Sequence, residues 1–84
     1  MSRRTYSGED VRKVLVNHGP FHVARIRGDH YILRWESPDG HDTDARTVPV
    51  PDHEEIRTGT LKEIGRQAGM KDFDAFRDWL DRNL

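Results

Sequence analysis

The stretch from residue 21 to residue 36 reads FHVARIRGDHYILRWE and has the pattern of a β-hairpin. Two runs rich in branched and aromatic residues, Phe21 to Arg27 and His30 to Glu36, are typical of strands. Between them lies Gly28-Asp29, a two-residue turn of the kind that hairpins favour. The stretch therefore predicts two adjacent antiparallel strands.

The two faces of the second predicted strand differ in bulk. Successive side chains of a strand point to opposite faces of the sheet. We expect the bulkier face to lie under helices and the other face, which carries a histidine and an arginine, to stay open. Ile32, which this alternation puts on the open face, would suit the core equally well. The bulkier set is Tyr31, Leu33 and Trp35, and the other set is His30, Ile32 and Arg34.

A helix is predicted before the hairpin, from Gly8 to His18. Ser7 can cap its free amides, and Gly19-Pro20 ends it with a left-handed stop and a residue that forbids continuation. After the hairpin, residues 37–40 read SPDG, a strong turn signal, and a third strand is predicted from Asp44 to Val50.

Two prolines, Pro49 and Pro51, either end the sheet or confine the third strand to an edge, because proline donates no ladder hydrogen bond. The spacing of Thr60 and Glu63 is that of a capping box and predicts a helix from Thr60 to Ala68.

Asp72 is predicted to cap a last helix that runs to Leu84. Its apolar residues recur at helical spacing, which is typical of side chains that cover a core. They are Phe73, Phe76, Trp79, Leu80 and Leu84. The element order is thus α-β-β-β-α-α, an α+β fold in which a three-stranded antiparallel sheet carries helices on one face.

Size and composition limit the possibilities. The 84 residues suit one domain spanning residues 1–84, with 33% hydrophobic and 35% charged residues and hence a small core. The absence of cysteine excludes disulfides, thiolate metal sites and cysteine nucleophiles. No apolar run approaches the roughly 20 residues of a membrane-spanning helix. We therefore expect a cytoplasmic protein.

Charge is unevenly distributed along the chain. A net charge of −1 by itself speaks against nucleic-acid binding, since phosphate contacts normally require a basic surface. The cations, however, predominate up to Arg34, whereas the acidic residues concentrate after it. This pattern is compatible with a basic face on an otherwise acidic molecule.

His30 is the most promising chemical group, because it stands on a strand directly after the turn. An imidazole titrates at about pH 6.5 and can exchange a proton near neutrality, although most histidines do nothing of the kind. The five histidines lack the i, i+4 spacing and the accompanying cysteines of a zinc site. We expect no metal and no cofactor.

Several spaced elements around and after His30 occur in one order. They are Phe21, Arg25, Gly28, His30, Ile32 and Leu33, then VPDHEEI at 50–56, GTL at 59–61, Ile64 and QAG at 67–69. Together they resemble the HicA (YcfA-like) mRNA interferase toxins, over residues 7–70. Residues 72–84 lie beyond the resemblance and would form a packing extension.

The resemblance implies a fold similar to a double-stranded-RNA-binding domain and metal-independent cleavage of mRNA. It makes His30 the catalytic residue and implies a HicB-like antitoxin that covers it. Arginines near the hairpin would hold phosphate and stabilise the charge that develops on it. Our candidates for these contacts are Arg25, Arg27 and Arg34.

Two further residues are accessory candidates. Members of the family commonly have serine where this chain has Asp29, a carboxylate that would favour a protonated His30 and repel phosphate, unless it faces solvent in the turn. His53 is either a structural residue that seats the loop before the second helix or, as the less favoured interpretation, a second catalytic histidine. A non-catalytic RNA-binding domain and a protein-interaction module that partners an antitoxin remain alternative functions.

Overall fold

The computed structural model describes residues 5–36 and 45–84. In this part of the chain three helices and three strands follow one another in the predicted order. They are α1 (Gly8–Asn17), β1 (His22–Arg27), β2 (His30–Trp35), β3 (Arg46–Pro51), α2 (Thr58–Gln67) and α3 (Phe73–Arg82). The predicted turn at residues 37–40 and the predicted first residue of the third strand, Asp44, lie outside the described residues.

The strands form one antiparallel sheet in the order β1-β2-β3. The predicted Gly28-Asp29 turn joins β1 to β2, and Gly28 has a φ of 59°, a conformation that favours glycine. β3 lies at a sheet edge, as its prolines predict. The predicted α+β class, with its antiparallel three-stranded sheet, is confirmed.

The core lies between one face of the sheet and the helices. Leu33, Val48 and Val50 have no exposed surface, and Tyr31 and Trp35 pack against the same cluster. This confirms the predicted inner face of β2. β1 is the least covered strand, since Val23 and Ile26 remain 37% and 66% exposed on it.

α1 begins as predicted. The Ser7 hydroxyl accepts a hydrogen bond from the Asp10 amide at 3.0 Å, and the Asp10 carboxylate accepts one from the Ser7 amide at 3.3 Å. These reciprocal bonds satisfy amides that would otherwise lack partners at the helix start. The helix ends at Asn17, one residue before the predicted His18.

The predicted capping box of α2 is wrong. The helix starts at Thr58 with Arg57 before it and has no side-chain cap, while Glu63 bonds instead to Arg66. The buried Ile56 explains the earlier start, because its amide donates to the Tyr6 carbonyl at 2.8 Å and fixes where the chain enters the helix.

α3 is part of the core. Asp72 caps it as predicted by accepting from the Ala75 amide at 3.1 Å, and Phe76 and Leu80 are fully buried. The Tyr6 hydroxyl, from the other end of the chain, donates to the Asp81 carboxylate. Among the described residues no helix has the length and apolar character needed to cross a membrane.

Candidate active site

Two separate segments meet at one end of the sheet. Asp29 and His30 come from the β1–β2 turn and the start of β2, and His53 follows β3 by two residues. The Asp52 amide donates to the Asp29 carbonyl oxygen at 2.6 Å, and the Gly8 amide donates to the His53 carbonyl oxygen at 2.8 Å. Backbone hydrogen bonds therefore hold the loop after β3 against both the hairpin turn and the start of α1.

The Asp29 carboxylate bridges two imidazole rings. Its Oδ1 lies 2.8 Å from Nδ1 of His30, and its Oδ2 lies 3.3 Å from Nε2 of His53. An ionised carboxylate only accepts hydrogen bonds, so each of these ring nitrogens acts as the donor. Within the described part of the chain, His30 Nε2 and His53 Nδ1 have no hydrogen-bond partner and so are available to other molecules.

All three side chains are open to solvent. The exposed fractions are 65% for Asp29, 44% for His30 and 56% for His53. The bond from His53, followed by the bond from His30, lowers the pKa of Asp29 below its usual value. The bridging carboxylate is therefore an anion near neutral pH, in a place that a large substrate can reach.

The predicted arginines share the open face with His30. Arg27 pairs with His30 across the β1–β2 ladder, and Arg25 pairs with Ile32. Arg34 pairs with His22 on one side and Thr47 on the other. Because paired residues of neighbouring strands project to the same face, Arg27 and Arg25 lie on the face of His30 towards its end of the sheet, and Arg34 lies on the same face towards the other end of β2.

A β-bulge in β1 makes this arrangement possible. The register shifts between Val23 and Arg25, so Val23 stays opposite the buried Leu33 while Arg25 and Arg27 move to the histidine face. Strict alternation would have put Val23 and the two arginines on the same face. The bulge thus combines an apolar contact on one face with a basic cluster on the other.

The three arginines differ in how they are engaged. Arg34 donates through Nε to the Glu36 carboxylate at 2.7 Å and through a terminal nitrogen to the Thr47 hydroxyl at 3.1 Å. The hydrogen bond from Arg34 to the Glu36 carboxylate lowers the pKa of Glu36. Within residues 5–36 and 45–84, no ion pair involves Arg25 or Arg27. These two guanidinium groups are the better placed to meet an added anion.

Two features of the site were not predicted from the sequence. His22 lies on the open face opposite Arg34, and only the register reveals this. The contact between the His53 ring and Asp29 was also not predicted, and the His53 carbonyl oxygen accepts a hydrogen bond from the Gly8 amide. The described residues contain no group of three or more histidine, cysteine, aspartate or glutamate side chains that could hold a metal ion.

Fold and site together define a small α+β protein whose open sheet face combines two imidazoles with a cluster of arginines. Residues 8–70 match the protein-family model described as HicA toxin of bacterial toxin-antitoxin, over more than half of the 84 residues. The chain belongs to the HicA toxin family, a family of toxin-antitoxin systems. No match was found among curated proteins or among solved structures.

Proposed function

We propose that this protein is the toxin of a toxin-antitoxin pair and cleaves mRNA as a metal-independent endoribonuclease, with His30 as general acid/base. One observation carries the proposal. His30 has one ring nitrogen fixed by the Asp29 carboxylate and the other without a partner among the described residues, on a sheet face that also bears Arg25 and Arg27. A free imidazole nitrogen beside cations suits the transfer of a proton at a bound phosphodiester.

The chemistry requires few groups. His30 can take the proton of a ribose 2′-hydroxyl as that oxygen attacks the neighbouring phosphorus, or give a proton to the leaving 5′-oxygen. Guanidinium groups bind phosphate oxygens in a fixed geometry and stabilise the negative charge that develops during attack. Arg25 and Arg27 are the first candidates for this role, and Arg34 is a weaker one because Glu36 already engages it.

Asp29 is compatible with this activity. Both of its carboxylate oxygens hydrogen-bond to imidazoles, which directs its charge towards the rings. A carboxylate that holds an imidazole by Nδ1 fixes the tautomer whose Nε2 accepts a proton, as in hydrolases in which an aspartate orients a catalytic histidine. The departure from serine at this position thus gives His30 a partner.

The partner we propose is a HicB-like antitoxin that covers the open face around His30. Because the proposed substrate is mRNA, the proposed place of action is the cytoplasm. Co-expression with the product of an adjacent antitoxin gene tests this pairing. We expect a stable complex that does not cleave RNA. Toxin activity that persists undiminished in the complex would contradict the idea that the antitoxin covers His30.

The activity itself is tested by incubating the purified protein with mRNA and with DNA of the same sequence, both in EDTA. We expect RNA fragments that end in a 2′,3′-cyclic phosphate and begin with a 5′-hydroxyl, and intact DNA. Cleavage of the DNA, or dependence on added metal, would contradict the mechanism. Binding of RNA without cleavage would instead favour the non-catalytic RNA-binding domain, and co-purification of an antitoxin without any affinity for RNA would favour the interaction module.

A further inference from the structure

The Asp29 bridge joins His30 to a second imidazole that the proposed function does not use. The His53 ring is 56% exposed, lies 3.3 Å from the carboxylate, and comes from a loop fixed at its backbone on both sides. If His53 only held the loop in place, the contact of its ring with Asp29 would be unnecessary, because the His53 carbonyl oxygen already accepts a hydrogen bond from the Gly8 amide at 2.8 Å.

We propose that His53 is a second catalytic residue, the general acid that protonates the leaving 5′-oxygen, and that Asp29 is the positioning residue that holds both imidazoles. His30 is then the general base. This inference rests on the proposed ribonuclease function. It adds to that function the group that completes the proton transfer.

The positions of the two rings favour this division of roles. His30 pairs across the ladder with Arg27 and so lies beside a guanidinium group that can hold the phosphate next to the attacking 2′-oxygen. His53 bonds to the other oxygen of Asp29 and comes from a different loop, so the two rings can serve opposite sides of the phosphorus, as in-line attack requires. The common neighbour Asp29 contacts both rings and so does not distinguish them.

The proposed reaction balances with these groups alone. The 2′-oxygen attacks phosphorus while its proton passes to His30 Nε2, the nitrogen that Asp29 does not engage. The bond between phosphorus and the 5′-oxygen breaks, and that oxygen receives a proton from His53 Nδ1. The products are a 2′,3′-cyclic phosphate and a 5′-hydroxyl, and exchange with water returns each histidine to its starting form.

A change of leaving group separates the two histidines. The substrate is an RNA oligonucleotide with one cleavage site mapped with the wild type, prepared either with the natural 5′-oxygen or with sulfur in its place. A 5′-thiolate leaves without needing a proton, so a general acid no longer matters. We expect His53→Ala to slow cleavage of the oxygen substrate by about 100-fold or more. On the sulfur substrate the same variant should approach the wild-type rate, whereas His30→Ala should be slow on both.

The matched control is His18→Ala, which removes an exposed imidazole after α1 and should cleave both substrates like the wild type. If His53→Ala is equally slow on both substrates, or slow on neither, the general-acid role is wrong while the ribonuclease function stands. If the wild type cleaves neither substrate, the proposed function fails and this inference fails with it. Circular dichroism of each variant identifies any loss of fold.

The positioning role of Asp29 has its own readout. Asp29→Asn keeps the size of the side chain but replaces one of the two accepting oxygens with a donor. We expect kcat to fall with little change in KM, and nitrogen NMR to show loss of the His30 tautomer that carries hydrogen on Nδ1. An unchanged tautomer together with an unchanged kcat would overturn this role.

Discussion

At the scale of single residues, the site depends on one exposed carboxylate with two hydrogen-bond donors. Asp29 has a pKa below its usual value because of His53 first and His30 second. The pKa therefore reports whether the bridge is formed. An aspartate in a solvent-exposed turn without such partners would titrate near the ordinary value of 3.8.

The first prediction concerns the titration of Asp29, followed by NMR of its carboxyl carbon. His53→Ala and His30→Ala should each raise the pKa of Asp29 towards 3.8, because each removes a hydrogen bond that lowers it. The wild-type value should lie below both. A pKa that is unchanged in His53→Ala would show that the two side chains do not interact in solution.

The same shift affects stability in acid. A carboxyl group whose pKa is lowered on folding stabilises the protein above its unfolded pKa, and this contribution is lost as the pH falls through the folded value. We therefore expect the difference in unfolding free energy between the wild type and Asp29→Asn to grow as the pH rises through about 4 and then to level off. Urea titrations between pH 2 and pH 6 measure it.

The sequence revealed only half of this site. Asp29 and His30 are neighbours in the chain, so their interaction could be considered directly. The contact with His53 depends on the pairing of β2 with β3, in which His30 lies opposite Pro51. A register of this kind is set by packing along the whole strand, and local sequence does not determine it.

At the scale of elements, the start of α1 packs directly against the end of β3. A side chain on Gly8 would place its Cβ 1.9 Å from the Pro51 carbonyl oxygen. Only glycine allows this approach, and the approach brings the Gly8 amide to the His53 carbonyl. The helix start thus supports the loop that carries the second imidazole.

The second prediction compares two glycine substitutions at the starts of helices. Gly8→Ala should destabilise the protein by about 1–3 kcal/mol and lower the cleavage rate, because the helix and the loop must move apart. Gly59→Ala is the control, since its Cβ would meet nothing within 4 Å, and it should stabilise α2 by about 0.5–1 kcal/mol. Denaturant titrations of both variants check this, and equal effects would contradict the close approach at Gly8.

Element boundaries were predictable where local chemistry sets them. Ser7 and Asp72 cap their helices as expected because each cap needs only residues of the next turn. The start of α2 was predicted two residues too late, because a long-range contact between Ile56 and Tyr6 decides it. The bulge that orients Arg25 also has no signal in the local sequence.

At the scale of the whole molecule, α3 completes the core although it lies beyond the residues that match the family model. Phe76 has no exposed surface, and its ring stacks on Trp79 with 6.2 Å between the ring centres. The helical spacing of apolar residues predicted that this helix covers the core. We infer that the fold depends on it.

The third prediction tests this dependence. Phe76→Ala should lower the free energy of unfolding by about 3–5 kcal/mol, the usual effect of removing a buried aromatic ring. Arg82→Ala, at an exposed position of the same helix, should change it by less than about 0.5 kcal/mol. A loss below about 1 kcal/mol for Phe76→Ala would mean that α3 is not part of the cooperative unit.

The fourth prediction concerns the basic open face on a molecule whose net charge is only −1. Arg25→Ala and Arg27→Ala should each weaken RNA binding and reduce the slope of log affinity against log salt by about 1, measured in the His30→Ala background to prevent cleavage. Arg82→Ala is the control and should leave the slope unchanged. An unchanged slope in both arginine variants would exclude phosphate contacts from β1.

The central claim is that this sheet face cleaves RNA through His30, and a single-turnover experiment tests it most directly. Excess protein is mixed with a labelled RNA in EDTA, and the rate constants of the wild type, His30→Ala and His18→Ala are compared. We predict that His30→Ala is slower by about 100-fold or more while His18→Ala matches the wild type. Equal rates for the wild type and His30→Ala would contradict the account.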